Sequence, residues 1–263
     1  MQSLDLLTLL STRNIIIFIL IITRITGLLM FAPIFSSFPT PNSVKVGLSV
    51  FVAFLIFPTV ITHNLVVPDN MLAMSVFLLK EFAIGALIGF LANLIFVSCQ
   101  IGAEMVSIQA GLAFSNIMDP STGTNTTSLS QLYIIPLSLV FLTTNAHDTL
   151  FMTLAYSFKA IKPGFDIFLT PNFVQQIIQQ TAELFTIAIA LILPVFGVLF
   201  VMEVLFGFIS KMMPKMNIFM LSLPLKIYLT FLLMLMFLEP TCKFFENMLI
   251  HQSETITGLF IGG

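Results

Sequence analysis

Charge is what this sequence has least of. Asp, Glu, Lys and Arg make up 8% of its 263 residues, against roughly 25% in soluble domains. The formal net charge of −2 leaves no basic surface for nucleic acid and no polybasic segment for a lipid anchor. The two cysteines, Cys99 and Cys242, sit in or beside apolar runs without CxxC spacing, and they read as free thiols. His63, His147 and His251 lie far apart and lack the spacing of metal ligands. His147 and Asp148 are adjacent rather than set as a catalytic pair, and the serines nearby have no nucleophile-elbow context. No glycine-rich phosphate loop follows a strand. Together these absences predict a chain that is not an enzyme and holds neither metal nor cofactor. The opening stretch MQSLDLLTLLSTRN carries Asp5 and neither a basic start nor a small-residue cleavage site, so no removable signal peptide is expected.

Apolar residues are what the chain has in excess, at 58% of the sequence and a mean hydropathy of +1.07. A soluble core cannot absorb that much apolar surface, so the chain belongs in a membrane or a membrane-associated assembly. Six hydrophobic segments can be read, all helical in character, with no internal repeat and no linker to divide residues 1–263 into domains. Asn14 to Phe35 is long enough for one crossing; Val44 to Thr62 carries Pro58 as a helix stop. Met71 to Cys99 is too long for one untilted crossing, and Leu132 to Phe158 is split by TTNAHD at 143–148. Phe173 to Ser210 holds Glu183, Pro194 and Glu203, and Ile218 to Leu238 ends at an EP pair before a mixed tail. Between the third and fourth runs, residues 115–128 are rich in Ser, Thr, Asn and Gly and read as a loop.

The few charges refuse to sort. Threading six helices in series places Arg13, Lys159, Lys162 and Lys243 on one side and Lys45, Lys211 and Lys215 on the other, which sets no orientation by the positive-inside rule. Either the segment count is off by one, or the helices do not cross a bilayer as a conventional bundle. Arg24, Lys80, Glu81, Glu183, Glu203 and Lys226 fall in or next to apolar runs, where a charge facing lipid costs about 2.5–3.5 kcal/mol. They read as buried pairs, within the chain or with a partner, in preference to an ion relay. Gly85 and Gly89 stand at GxxxG spacing, which permits close approach of a second helix without naming it.

The stretch KMMPKMNIFMLSLPLKI at 211–227 interrupts an apolar path with prolines and lysines. It predicts a helical hairpin turning at Pro214 through Phe219, with Lys211, Lys215 and Asn217 capping the end of the preceding helix or meeting partner carbonyls, and Lys226 meeting an acid or carbonyl, either Glu203 across the hairpin or a residue of another subunit. In order along nearly the whole chain, FAPIFSSFPTPNSVKVGLSV (31–50), KEFAIGALIGF (80–90), QIGAEMVSIQAGLAFSNIMDPST (100–122), LTTNAHDTL (142–150), LPVFGVLFVMEVLFGFISKMMPKMNIF (193–219) and LPLKI (223–227) resemble the FliR family. These are flagellar type III export-gate subunits, with relatives in virulence secretion. The family's Pro-Gln-Met-Asn has Lys215 in place of the glutamine here, which puts a polar role for that position in doubt.

The resemblance implies a non-enzymatic structural and gating subunit of a protein-export channel in the bacterial inner membrane, at the flagellar basal body. Its implied fold is an all-α, membrane-associated helical assembly similar to a fusion of FliP and FliQ, with some apolar segments broken into hairpins. Its implied partners are FliP, FliQ and FlhB, unfolded export substrates and membrane lipid. A pore-plugging loop around 111–128 would use Phe114, Ile117 and Met118 as apolar stoppers beside Asp119 and Pro120, with Gly111 and Gly123 keeping it flexible. By composition alone that stretch reads as a surface turn. Arg24, Pro33, Lys80, Glu81, Gly85, Gly89, Glu203, Pro214, Asn217 and Lys226 are then assembly and packing positions. The alternatives are a small secondary transporter using Arg24, Glu81 and Glu203 near broken helices, a virulence homologue, or a polytopic assembly factor. The overall pattern leans to the flagellar branch.

Overall fold

Apolar runs of this length must satisfy their own backbone groups, and a helix does so within one segment. The computed structural model describes residues 11–33, 35, 40–60, 70–112, 128–161, 171–215 and 217–261, and seven α-helices account for nearly all of them. In chain order these are α1 (Thr12–Phe31), α2 (Asn42–Val60), α3 (Met71–Ala110), α4 (Ser128–Thr143), α5 (Ala146–Ala160), α6 (Pro171–Met212) and α7 (Ile218–Ile261). Five are long and apolar enough to cross a membrane, and the broken pair α4–α5 makes a sixth. This is an all-α membrane protein with the expected number of apolar segments.

Local chemistry sets several helix ends. The Ser11 hydroxyl accepts from the Asn14 amide at 3.4 Å and caps α1. At the other end Ala32 is extended, with ψ 139°, as a residue before proline should be; Pro33, itself buried, stops the helix there. Between α4 and α5, Asn145 adopts a left-handed conformation with φ 54°, which asparagine tolerates better than most residues. The TTNAHD punctuation therefore breaks the helix as its composition predicts.

Three helices outrun the apolar segments that announced them. α3 continues past Cys99 to Ala110, because Ala103, Val106 and Ala110 keep a buried face going. α7 does not end at Glu239–Pro240 but runs through Pro240 to Ile261. A proline removes one backbone donor and kinks a helix, but Phe245, Leu249 and Ile256 beyond it are buried, and that burial outweighs the lost bond. At 40, 42 and 44 residues for α3, α6 and α7, these helices are each about 60 Å or more long. That is roughly twice the hydrocarbon thickness of a bilayer.

The chain forms two compact units. The first comprises Met1–Leu94, Asn145–Gln180 and Ile250–Gly263. Its core is built on Ile17, Leu20, Ile21, Ile25, Leu28 and Leu29 of α1 together with Ile84, Ile88 and Leu91 of α3. α2 lies against α1, with Phe18 and Phe57 edge to face at 5.7 Å and the Thr26 hydroxyl 3.3 Å from that of Ser49. The second unit comprises Ile95–Thr144 and Thr181–Leu249. Its core includes Val106, Leu129, Ile192, Val195, Leu199 and Leu233. Phe96 also meets Phe141 and Phe245 edge to face there, at 5.5 and 5.0 Å.

Candidate functional site

In the first unit, one charged side chain organises three helical elements. Arg24, in the middle of α1, is fully buried. Its Nε donates to Glu81 Oε2 of α3 at 2.6 Å, Nη1 to the Ser157 hydroxyl of α5 at 3.0 Å, and Nη2 to the Ile161 carbonyl at 3.3 Å. The guanidinium lies 4.1 Å over the Phe158 ring. Glu81 is equally buried. A planar five-donor fork can reach three acceptors and stack on a ring at once, which an ammonium cannot do. The Ile161 carbonyl belongs to the end of α5, where a cation is favoured by the helix dipole.

The pair is placed by a close helix crossing. A methyl group added to Gly85 would overlap the Arg24 carbonyl, and one on Gly89 would lie 2.5 Å from the Leu28 carbonyl oxygen. From the other side, a methyl group on Gly27 would run into the Phe82–Ala86 backbone of α3. The GxxxG pair thus faces α1 of the same chain, and Gly27 completes the contact. The ammonium of Lys80, next to Glu81, lies 5.8 Å from the Phe77 ring.

In the second unit, α3 ends in a full Schellman motif. Gly111 is left-handed, with φ 85°; its amide donates to the Ile108 carbonyl at 3.0 Å, and the Leu112 amide to the Ser107 carbonyl at 3.0 Å. Leu112 packs against the cluster of Val106, Leu129, Ile192, Val195, Leu199 and Leu233. Ser128 opens α4 one residue before Leu129. The segment from 113 to 127 therefore leaves and rejoins the described chain at two feet on one apolar cluster. Phe114, Ile117, Met118, Asp119 and Pro120, the predicted stoppers, lie outside the described residues, as does Gly123.

The hairpin of α6 and α7 also belongs to the second unit. Lys226 Nζ donates to Glu203 Oε2 across it. Lys226 is largely buried while Glu203 is half exposed. Pro214 and Lys215 form the turn, which closes sooner than expected because α7 already starts at Ile218. Asn217 does not cap the preceding helix. Its Oδ1 accepts from the Met220 amide at 3.4 Å, capping the start of α7, the end where an acceptor side chain is needed. Lys211 stands in the last turn of α6.

Residues 15–251 match the family described as Bacterial export proteins, family 1. The chain belongs to that family. Within it, the chain is similar to "Flagellar biosynthetic protein FliR" of Bacillus subtilis (strain 168), at 26% identity over 245 residues, covering 92% of this chain and 93% of that protein. The protein of the same name from Escherichia coli (strain K12) is 26% identical over 225 residues, 86% of this chain and 85% of its own. That from Aquifex aeolicus (strain VF5) is 24% identical, over 86% of each. As a member of the bacterial export proteins, the chain is a membrane component of flagellar biosynthesis and protein export.

The sequence of this export protein singles out Arg24, Glu81 and the Gly85–Gly89 pair without assigning the pair its partner helix, and the crossing of α1 and α3 joins all four. Ser157, Phe158 and Gly27 escape a reading of the sequence. Gly27 carries a usable signal, since it lies three residues after Arg24, the arginine in the middle of an apolar helix. Leu112 and Leu129 escape it because a leucine in an apolar run looks like any other. Their meaning comes only from the cluster that both of them meet.

Proposed function

We propose that this chain is a non-enzymatic structural and gating subunit of the flagellar type III export channel, assembled with FliP and FliQ at the basal body in the inner membrane and associated with FlhB. The carrying observation is the family match over residues 15–251, with flagellar relatives aligned over most of their length. The distribution of apolar surface supports it. Span-length windows of α2, α6 and α7 are only 17%, 28% and 22% buried, against 61% for α3, so the first three need lipid or partner subunits to cover them. In this reading the stretch around 111–128 forms the loop that closes the pore, and the meeting of Leu112 and Leu129 on one apolar cluster supports it. Glu81, Ser157 and Ile161 hold Arg24 internally, which favours a packing role for it over solute binding.

The test is a mild-detergent pulldown of the tagged chain, expressed with and without FliP and FliQ, followed by native mass determination. A discrete hetero-oligomer that forms only with those partners is the expected result. A well-folded monomer or homodimer indifferent to them overturns the reading.

A further inference from the structure

The first unit contains a half-open cavity of about 360 Å³ that the guanidinium cluster does not use; ligand sites span roughly 300–1,000 Å³. It is lined by Gln176, Gln179 and Gln180 near the start of α6 and by Thr255 and Gly258 near the end of α7. Positions 176, 179 and 180 stand at i, i+3 and i+4, so the three glutamines share one helix face. The Thr255 hydroxyl donates to the His251 carbonyl at 2.9 Å, which leaves its oxygen able to accept. Gln180 Oε1 is buried and has no hydrogen-bond partner among the described residues. The terminal torsion of a glutamine is broad and two-fold. A turn of the amide can therefore carry this oxygen into the cavity without breaking a bond to it.

The lining selects a chemistry. None of these five residues is charged, and a charged ligand desolvated there would lack a counter-ion. Much of the exposed lining is the apolar part of these side chains, and the polar groups they carry are amide N–H donors, amide C=O acceptors and a hydroxyl oxygen. A peptide group presents the complementary donor and acceptor, whatever side chain it carries. We propose that this glutamine-lined cavity binds the backbone amides of an extended polypeptide, namely the chain being exported. The inference rests on the export reading above and extends it to a contact that is blind to side-chain identity. A segment of a resident partner subunit would offer the same amide chemistry, so the test must separate the two sources.

The experiment uses the assembled complex in membranes, with a photo-crosslinking amino acid at the exposed Gln176. An export substrate is stalled by a fused folded domain behind a long Gly-Ser linker. A crosslink to the substrate that appears only when it is stalled is the expected result. Gln180→Leu should reduce that crosslink roughly five- to tenfold. A matched linker with proline at alternate positions, which lacks half the backbone donors, should do the same. Gly258→Leu should block the cavity with similar effect, because a Cβ there meets nothing within 4 Å and the fold has room for it.

A complex that assembles and exports normally but gives no substrate crosslink overturns the assignment and leaves the export reading standing. The assignment falls in the same way if Gln176 crosslinks a resident subunit equally with and without substrate. Yields unchanged by Gln180→Leu and Gly258→Leu also overturn it. Failure of the wild-type chain to assemble with FliP and FliQ overturns both readings.

Discussion

At the scale of single residues, the buried guanidinium is the most sensitive position. Arg24 and Glu81 are both fully buried, so removing either takes the charged partner from the other's buried pair, a loss of about 3–5 kcal/mol. Arg24→Leu should therefore lower the thermal midpoint of the purified complex and its yield. Arg24→Lys should fall between the two, since an ammonium cannot hold Glu81, Ser157 and Ile161 together or stack as a plane on Phe158. The double variant Arg24→Leu/Glu81→Leu buries no charge at all and should be less damaging than the sum of the singles. A strictly additive cycle in detergent melts would show that the two side chains do not act as a pair. The glycines make a second comparison. Gly85→Ala puts a methyl group into the Arg24 carbonyl and should cost about 1–3 kcal/mol by overpacking. Gly207→Ala meets nothing within 4 Å and should be neutral or gain up to about 1 kcal/mol of helix stability. Equal melting shifts for the two would sink the close-crossing argument.

At the scale of elements, the end of α3 matters most, because its left-handed cap seats Leu112 on the second unit's core. Gly111 has φ 85°, where an L side chain costs roughly 1–2 kcal/mol. Gly111→Ala should fray the Schellman motif and release Leu112 from its cluster. Asparagine tolerates the left-handed region better, so Gly111→Asn should be milder. Motility and the resting conductance of membranes holding the complex would read this out; identical behaviour of Ala, Asn and wild type would argue against a fixed foot. The elements are also the scale best announced by the sequence. The break at Thr144–Asn145 and the hairpin at Pro214 follow from turn residues within apolar runs. The continuation of α7 through Pro240 does not, because whether a proline ends a helix depends on burial of Phe245 and Leu249 beyond it, and burial is a property of the fold. Asn217 is similarly visible as a capping residue, but which of two helices it caps depends on where α7 begins. The Arg24 site is legible as an isolated charge, while Ser157 and the Ile161 carbonyl are brought to it from more than 130 positions away.

At the scale of the whole molecule, helix length decides what the bilayer can cover. Val174 and Met212 stand near opposite ends of α6, and both are exposed, as is Leu193 between them. The 38 positions from the first to the last correspond to about 57 Å of helix, against a hydrocarbon thickness of about 30 Å. Unless α6 is tilted so far that it lies nearer the membrane plane than the normal, both ends cannot sit in lipid together. α3 and α7 share this excess length, and a helix longer than the bilayer is thick need not place its charges by the rule for single crossings. Single cysteines introduced by Val174→Cys, Leu193→Cys and Met212→Cys, in a background of Cys99→Ala and Cys242→Ser, would measure this directly. With the chain inserted in membranes but FliP and FliQ omitted, a membrane-impermeant maleimide should label at least one of the two end positions. Restoring the partners should then protect labelled sites that lie in subunit interfaces, since lipid cannot reach them and protein can. Protection of all three positions without partners would mean that α6 is immersed throughout its length as a strongly tilted span, and the charges would need another explanation.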